Sequence, residues 1–577
     1  MSRGSDWSVA ALDARRAVVA VTVVAVLSRL VALGARPVHW DEARVGYWIL
    51  RSAATGDWAY HPIIHGPFVQ HADRFVFALL GANPFTLRLP VALVGGLLPL
   101  AALLFRTRLD DAETVALAVV LAANPVLLYY SRFLRSDVPL AAFTFVALGA
   151  AIQWFDTNRP RWLVVAAASL ALAATTKENV FLYLLAWAGG AGLVLARSVV
   201  ADAAAADWQP GPPAESLLAR ARRLAGRLRR ARVHLVAAAV LAGAILVLCY
   251  APRSGTPGEL GLWRAVSHPD RLPALVRTAT LDSWSKLADL WLSESLREHS
   301  YLLYAGYYLL VLAVGAAATV AAALVGVGDG RGRPLVAFCG WWGLASLVGY
   351  PYVADILAPW LAVHVVIALA VPAAVGLAAV ARAASVAAAV DDRRTRAAFL
   401  GLLAVSGLFV AGAAGTTSYV SPPHETSVLA QGAQPGTDLN PTMRAAAAAA
   451  RADADGPDVL YVGRLAVANE SANDDFAAAP NWYHRLPLPW YTEAAGLDVA
   501  SVREPAGIGA DPPPVVIAPV GRREAVAARL SGYRAHRESL FLWDRNRTLS
   551  ALWVRHELTA RSVVIFIARD DLRTDSD

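Results

Sequence analysis

The sequence predicts a polytopic α-helical membrane protein of about 11 spans, followed by an extracytoplasmic α/β domain. Three observations carry this. The 577 residues are 57% hydrophobic and 17% charged, with mean hydropathy +0.45, against roughly 25% charged in ordinary soluble domains. Apolar runs of about 18 to 25 residues recur along the first two thirds of the chain. One orientation places every arginine-rich connection on the same side.

The expected spans are 17–34, 86–105, 112–130, 138–155, 162–176, 179–196, 233–250, 301–326, 335–350, 356–380 and 397–415. Arg15 and Arg16 precede the first, which reads as an uncleaved span with a cytoplasmic N-terminus. Alternation then puts Arg106, Arg108, Arg159, Arg161, Arg331, Arg333, Arg393, Arg394 and Arg396 inside. The loop 197–232 joins them: Pro210, Pro212 and Pro213, then an arginine-rich amphipathic run suited to the anionic inner leaflet. The net charge of +7 therefore reads as cytoplasmic arginine and not as nucleic-acid binding. Cys249 and Cys339 lie inside apolar spans, where a cysteine behaves as a small hydrophobe.

The same orientation brings three charged clusters to the outer face. His39-Trp40-Asp41-Glu42-Ala43-Arg44 follows the first span, Arg135-Ser136-Asp137 joins two spans, and Lys177-Glu178-Asn179 ends another. Charge this close to hydrocarbon is costly without a use. Adjacent side chains diverge, so one carboxylate of Asp41-Glu42 can face a reaction centre as a general base while a cation such as Arg44 or Lys177 holds the other. Arg135 suits bidentate contact with a phosphate, and Lys177 suits a leaving phosphate. The bland alternatives are solvated loop charges, arginines reaching for headgroups and a local Lys177–Glu178 pair. His61 and His65, in His61-Pro62-Ile63-Ile64-His65-Gly66-Pro67, are binding candidates; with Asp41 they also form a candidate set for a divalent cation, Mg2+ or Mn2+. No HExxH motif or Cys/His cluster supports a resident metal.

The outer loops 35–85 and 251–300 carry Trp48, Trp58, Trp263, Trp284 and Trp291, as interfacial helices do. Pro359-Trp360 opens the tenth span and either lines a lipid groove or bends a helix. The division falls at residues 1–416 and 417–577. In the outer domain, strand-like runs at 459–462, 515–520, 552–554 and 563–567 alternate with helical runs at 443–454 and 523–530. Asn481-Trp482-Tyr483-His484 and Pro489-Trp490-Tyr491 either stack on sugar rings or pack as core.

Taken together, His39-Trp40-Asp41-Glu42, Tyr129-Tyr130-Ser131-Arg132-Phe133-Leu134-Arg135-Ser136-Asp137 and Thr176-Lys177-Glu178-Asn179 resemble the GT-C-fold membrane glycosyltransferases, on the protein O-mannosyltransferase and aminoarabinose-transferase branch. More narrowly they are similar to the archaeal flippase activity-associated glycosylation proteins. The resemblance implies transfer of a sugar from a polyprenyl (dolichyl) phosphate donor to a protein or lipid-linked glycan acceptor on the outer face of the cell membrane, among membrane lipids and other glycosylation-pathway proteins. It implies Asp41 as base, Glu42 as an orienting group, Arg135 and Lys177 on the donor phosphate, and Asp137 in support. The narrower group's name implies the alternative, a lipid-linked-sugar translocation factor without transferase activity.

Overall fold

The computed structural model describes residues 13–61, 66–205, 212–254, 258–292, 300–354, 358–420, 428–430, 432–451, 456–470, 481–544 and 558–569. The chain opens with α1 (Ala14–Leu30), then α2 (Trp40–Thr55) and α3 (Pro67–Leu80) in the first outer loop. Next come α4 (Leu89–Leu97, extended to Phe105 by a 3-10 segment), α5 (Asp111–Ala123), α6 (Pro125–Tyr130), α7 (Asp137–Thr157), α8 (Arg161–Ala174) and α9 (Val180–Ala205). The arginine-rich run forms α10 (Pro212–Arg230) and leads into α11 (Arg232–Tyr250). Short helices α12 (Leu262–Ser267), α13 (Leu272–Arg277) and α14 (Ser283–Leu292) fill the second outer loop. The bundle closes with α15 (Tyr301–Gly315), α16 (Ala317–Asp329), α17 (Pro334–Val353), α18 (Ala362–Ala389) and α19 (Arg393–Gly415).

The expected run 301–326 is not one span: α15 and α16 meet at a bend of 92° beside Ala316. Likewise 112–130 breaks at Asn124-Pro125, where Asn124 caps α6 and the proline cannot continue the ladder. Among the described residues six helices are long and apolar enough to cross a membrane, seven if the bent pair counts once. The expectation of 11 full spans therefore divides into these and shorter or broken apolar helices. The chain is a multi-pass membrane protein with the predicted C-terminal α/β domain. At one end of the bundle, ion pairs Arg333–Glu113, Arg382–Asp110 and Arg108–Asp156 tie the arginine-rich connections together. The three acidic-basic clusters meet at the other end.

Both outer loops fold as short amphipathic helices, and they are joined: Trp58 N–H donates to the Arg253 carbonyl (2.7 Å) and Arg253 N–H returns the bond (2.8 Å). Exposed Trp263 and Trp284 on the second loop suit a headgroup layer.

The outer domain is a five-stranded sheet of order β2-β1-β3-β5-β4, with β1 (Val459–Val462), β2 (Val499–Val502), β3 (Val515–Pro519), β4 (Tyr533–Asp544) and β5 (Leu558–Ala568). β1 runs parallel to β2 and β3, while β5 pairs antiparallel with β3 and β4. The period of 2 sorts side chains onto two faces. Val459, Tyr461, Val515, Ile517 and Ile565 meet α20 (Leu439–Arg451), and Leu460, Val516, Ala518, Val564 and Phe566 pack on the other side. Strands β2 and β4 were not foreseen. Each is an edge, and β4 carries Arg534, His536, Arg537 and Glu538, the charged character that keeps an edge from pairing further. The expected run at 552–554 lies outside the described residues.

The two domains share a core. Trp482, Leu486 and Trp490, the last two on or beside α21 (Leu488–Ala494), belong to the same cluster as the membrane helices. At Gly46 of α2 an added Cβ would sit 2.6 Å from the Trp490 ring, so only glycine admits this contact. Trp490 is thus packed core and not a sugar platform, because its ring is fully buried against α2 and Phe77.

Candidate functional site

The site begins with the cap of α2. His39 Nδ1 accepts from the Asp41 N–H (3.0 Å), and the Glu42 carboxylate accepts from the His39 N–H (3.0 Å), a reciprocal capping box. With Nδ1 accepting, the ring proton sits on Nε2 and donates to the Gly432 carbonyl (2.8 Å). Burial holds the His39 pKa below its usual value, as this neutral form requires.

One step of 100° around the helix sends Asp41 and Glu42 in different directions. Glu42 points inward and is fully buried. Its oxygens take Nε and Nη2 of Arg88 at 2.9 and 2.6 Å and the Leu134 N–H at 2.9 Å. Arg88 spends its remaining donors on the carbonyls of Leu33, Arg36 and Pro37. Burial alone would raise the Glu42 pKa; the Arg88 guanidinium outweighs it and brings the group down to about 2. Glu42 is therefore a locked anion that fixes three chain segments. The cation that holds it is Arg88, and neither Arg44 nor Lys177 does so.

Asp41 is less deeply buried, its side chain 13% exposed. Arg135 Nη1 donates to its Oδ2 at 2.9 Å, and Arg135 Nε lies 3.3 Å from Asp137 Oδ2. Lys177 Nζ donates to Asp137 Oδ1 at 2.9 Å. The network Asp41–Arg135–Asp137–Lys177 alternates in sign and joins α2, the start of α7 and the turn after α8 in one line. His364 Nε2 lies 3.3 Å from Asp137 Oδ1, while its Nδ1 is 2.7 Å from the Tyr183 hydroxyl and its ring stacks on Tyr350 at 4.4 Å. The carboxylate favours the proton on Nε2, so Tyr183 donates to Nδ1. The Arg135 guanidinium lies 3.8 Å from the Trp360 ring centre, which places Pro359-Trp360 in the site's wall. His364 and Tyr183 are inside spans, and their part in the site required the folded bundle.

The Lys177 turn is held by α3. Gly66 N–H donates to the Thr176 carbonyl (2.7 Å) and Phe68 N–H to that of Thr175 (2.9 Å). A Cβ at Gly66 would approach the Thr175 and Thr176 oxygens to 2.4 and 2.6 Å, so this backbone contact needs glycine.

The remaining candidates lie elsewhere. Glu178 sits beside the Tyr60–Tyr250 ring pair. Arg44 rests 5.2 Å from the Tyr483 ring centre. His61 Nδ1 lies 3.1 Å from the Ala59 carbonyl, and His65 is outside the described residues. Among the described residues no three His, Cys, Asp or Glu side chains are grouped to hold a metal ion.

Asp73 of α3 is an unpredicted oddity. It is fully buried, and neither carboxyl oxygen has a hydrogen-bond partner among the described residues. Burial, then the charge of Glu42, pushes its pKa well above 3.8. The fold thus binds a proton that the unfolded chain releases, so this group's contribution to stability falls as pH rises above about 4. Asp73→Asn should remove that slope, so that the difference in melting temperature between the two proteins changes with pH above about 4. Thermal unfolding of both proteins across pH in detergent checks this.

Residues 61–203 match the model for the dolichyl-phosphate-mannose-protein mannosyltransferases, and residues 439–568 match that for the C-terminal domain of the Agl23 flippase-associated proteins. Among solved structures, ArnT from Cupriavidus metallidurans in the apo state superposes with TM-score 0.51 at 16% identity, over 95% of this chain and 97% of that one. The same protein bound to undecaprenyl phosphate gives 0.50 at 18%, with the same coverage. A search of curated proteins finds no match. These likenesses carry the fold: a GT-C membrane domain with a C-terminal α/β domain.

Proposed function

Because the chain has a GT-C fold and is related to the Agl23 flippase-associated proteins, we propose that it is a membrane glycosyltransferase. It moves a sugar from a polyprenyl (dolichyl) phosphate to a protein or lipid-linked glycan acceptor at the outer face, with the N-terminus cytoplasmic and the C-terminal domain outside. The observation that carries this reading is the Asp41–Arg135–Asp137–Lys177 line, in which three separate segments converge on one mouth of the bundle. The C. metallidurans fold neighbour, seen with undecaprenyl phosphate, supports the lipid class.

In this reading the acceptor hydroxyl gives its proton to Asp41 and attacks the anomeric carbon as the bond to the lipid phosphate oxygen breaks. Asp41 sits in the first turn of α2, and Arg135 fixes its direction. Lys177, pinned through Asp137 and partly open at 10% side-chain exposure, has donors to meet the departing phosphate. Asp137 and His364 position these cations and do not touch substrate. The Asp137 carboxylate keeps two cations from repelling each other in a dry site.

Lys177→Met should lower kcat more than tenfold, with a smaller change in KM for the donor lipid, since the charge that develops on the departing phosphate loses its partner. Initial rates against donor concentration check this.

One observation favours the second reading, a lipid translocation factor: the 92° break between α15 and α16, the interrupted geometry that transport paths use. The test is purified protein in vesicles with radiolabelled dolichyl-phosphate sugars. The transferase reading expects labelled acceptor. Labelled lipid that crosses the bilayer without transfer supports the factor instead.

A further inference from the structure

A cavity of about 300 Å3 opens between α2 and the C-terminal domain. That volume is at the lower end of the range for ligand pockets, roughly 300–1,000 Å3. Its walls include Tyr47 and Arg51 of α2 and Trp482, Arg485, Glu470 and Glu493 of the outer domain.

Three features define what such a pocket holds. Arg485 is 2% exposed and held in place: both oxygens of Glu470 take its guanidinium at 2.8 Å, and the Leu465 carbonyl and Ser501 hydroxyl take one N–H each. Arg51 Nη1 and Glu493 Oε1 face each other at 3.8 Å, with side chains 24% and 22% exposed. Trp482 packs its ring 5.0 Å from that of Tyr47. The lining thus combines aromatic rings with planar side chains of both signs, and Asp498 brings the carboxylates to three against two guanidiniums. A phosphate or other anion gains nothing from such a balance. A neutral polyhydroxyl ring does: the partly exposed Arg51 and Glu493 side chains meet neighbouring hydroxyls, while the Arg485–Glu470 pair holds the wall behind them and the aromatic lining meets a C–H face.

The position adds to this. Arg51 lies ten residues beyond Asp41 on the same helix, about 15 Å along its axis. Between them, Trp40 stacks with Tyr483 (6.0 Å, 24°), and Tyr483 meets Trp482 at 5.5 Å, so aromatic rings run from beside Asp41 to the cavity. We infer that this cavity is a subsite for a neutral sugar residue of an extended acceptor glycan, a few units from the hydroxyl that reacts at Asp41. The inference rests on the glycosyl-transfer reading for its acceptor, but not for the binding itself. It also gives the C-terminal domain a part in acceptor binding, since that domain supplies most of the lining, with Tyr47 and Arg51 of α2 closing one side.

The experiment is saturation-transfer NMR on the full chain in nanodiscs, with neutral tetrasaccharides of mannose, glucose and galactose as probes and inorganic phosphate as competitor. Wild type and Asp41→Asn should both bind at least one probe, and Arg51→Met with Glu493→Gln should weaken it at least tenfold. Arg51→Lys, at a partly exposed side chain outside the core, separates ligand loss from misfolding: it should keep the melting temperature and weaken saturation transfer to the sugar. Binding abolished by Asp41→Asn yet intact in the Arg51/Glu493 variant would overturn the subsite, as would the absence of binding by every probe or displacement by phosphate. A protein that binds these sugars through the cavity but transfers none would overturn the transferase reading alone.

Discussion

Asp41→Asn is expected to lower turnover by roughly 10²–10⁴-fold, the contribution typical of a positioned general base, while KM for the donor stays within a few fold. The substitution keeps size and shape. It leaves the backbone N–H that His39 caps and retains an oxygen for Arg135. What it removes is the ability to take a proton at the bundle mouth. The adjacent acid should behave differently. Glu42→Gln should lose activity through loss of folded protein, since Glu42 is sealed against Arg88 and faces no solvent. Circular dichroism and size-exclusion profiles beside initial rates separate the two: a folded, inactive Asp41→Asn against a poorly folded Glu42→Gln.

Arg88→Ala should be the most damaging single change to stability, at about 3–5 kcal/mol, because it strands the buried carboxylate of Glu42. It also orphans three backbone carbonyls, of Leu33, Arg36 and Pro37, at the exit of α1. The sign of the double change is informative. Arg88→Met with Glu42→Leu should recover part of the loss, since an apolar pair carries no stranded charge, whereas either change alone should not. Thermal unfolding of the four proteins in one detergent gives the cycle.

The bundle was legible in the sequence because hydrophobic runs and arginine placement are each set by the membrane alone. Sidedness then put Asp41, Arg135, Asp137 and Lys177 on one face, and the structure joins them. The partners that make the arrangement stable were hidden. Arg88 lies 46 residues from Glu42, and His364 lies 227 residues from Asp137, so their pairing depends on helix packing that no local pattern encodes. The bend at Ala316 was hidden too, since an apolar run reads the same whether straight or broken. The aromatic run at 481–491 was readable as a choice between ligand stacking and core. The answer differs by residue: Trp490 is sealed against Gly46, whereas Trp482 keeps one side on a cavity.

The central claim, that the Asp41 line performs group transfer from a lipid phosphate, is tested most directly by product balance. Purified protein would be given a labelled polyprenyl-phosphate sugar and an acceptor, and the freed lipid phosphate and glycosylated acceptor counted together. The account predicts equal amounts of both from wild type and neither from folded Asp41→Asn, which still binds donor. Equal release undiminished in Asp41→Asn would contradict it.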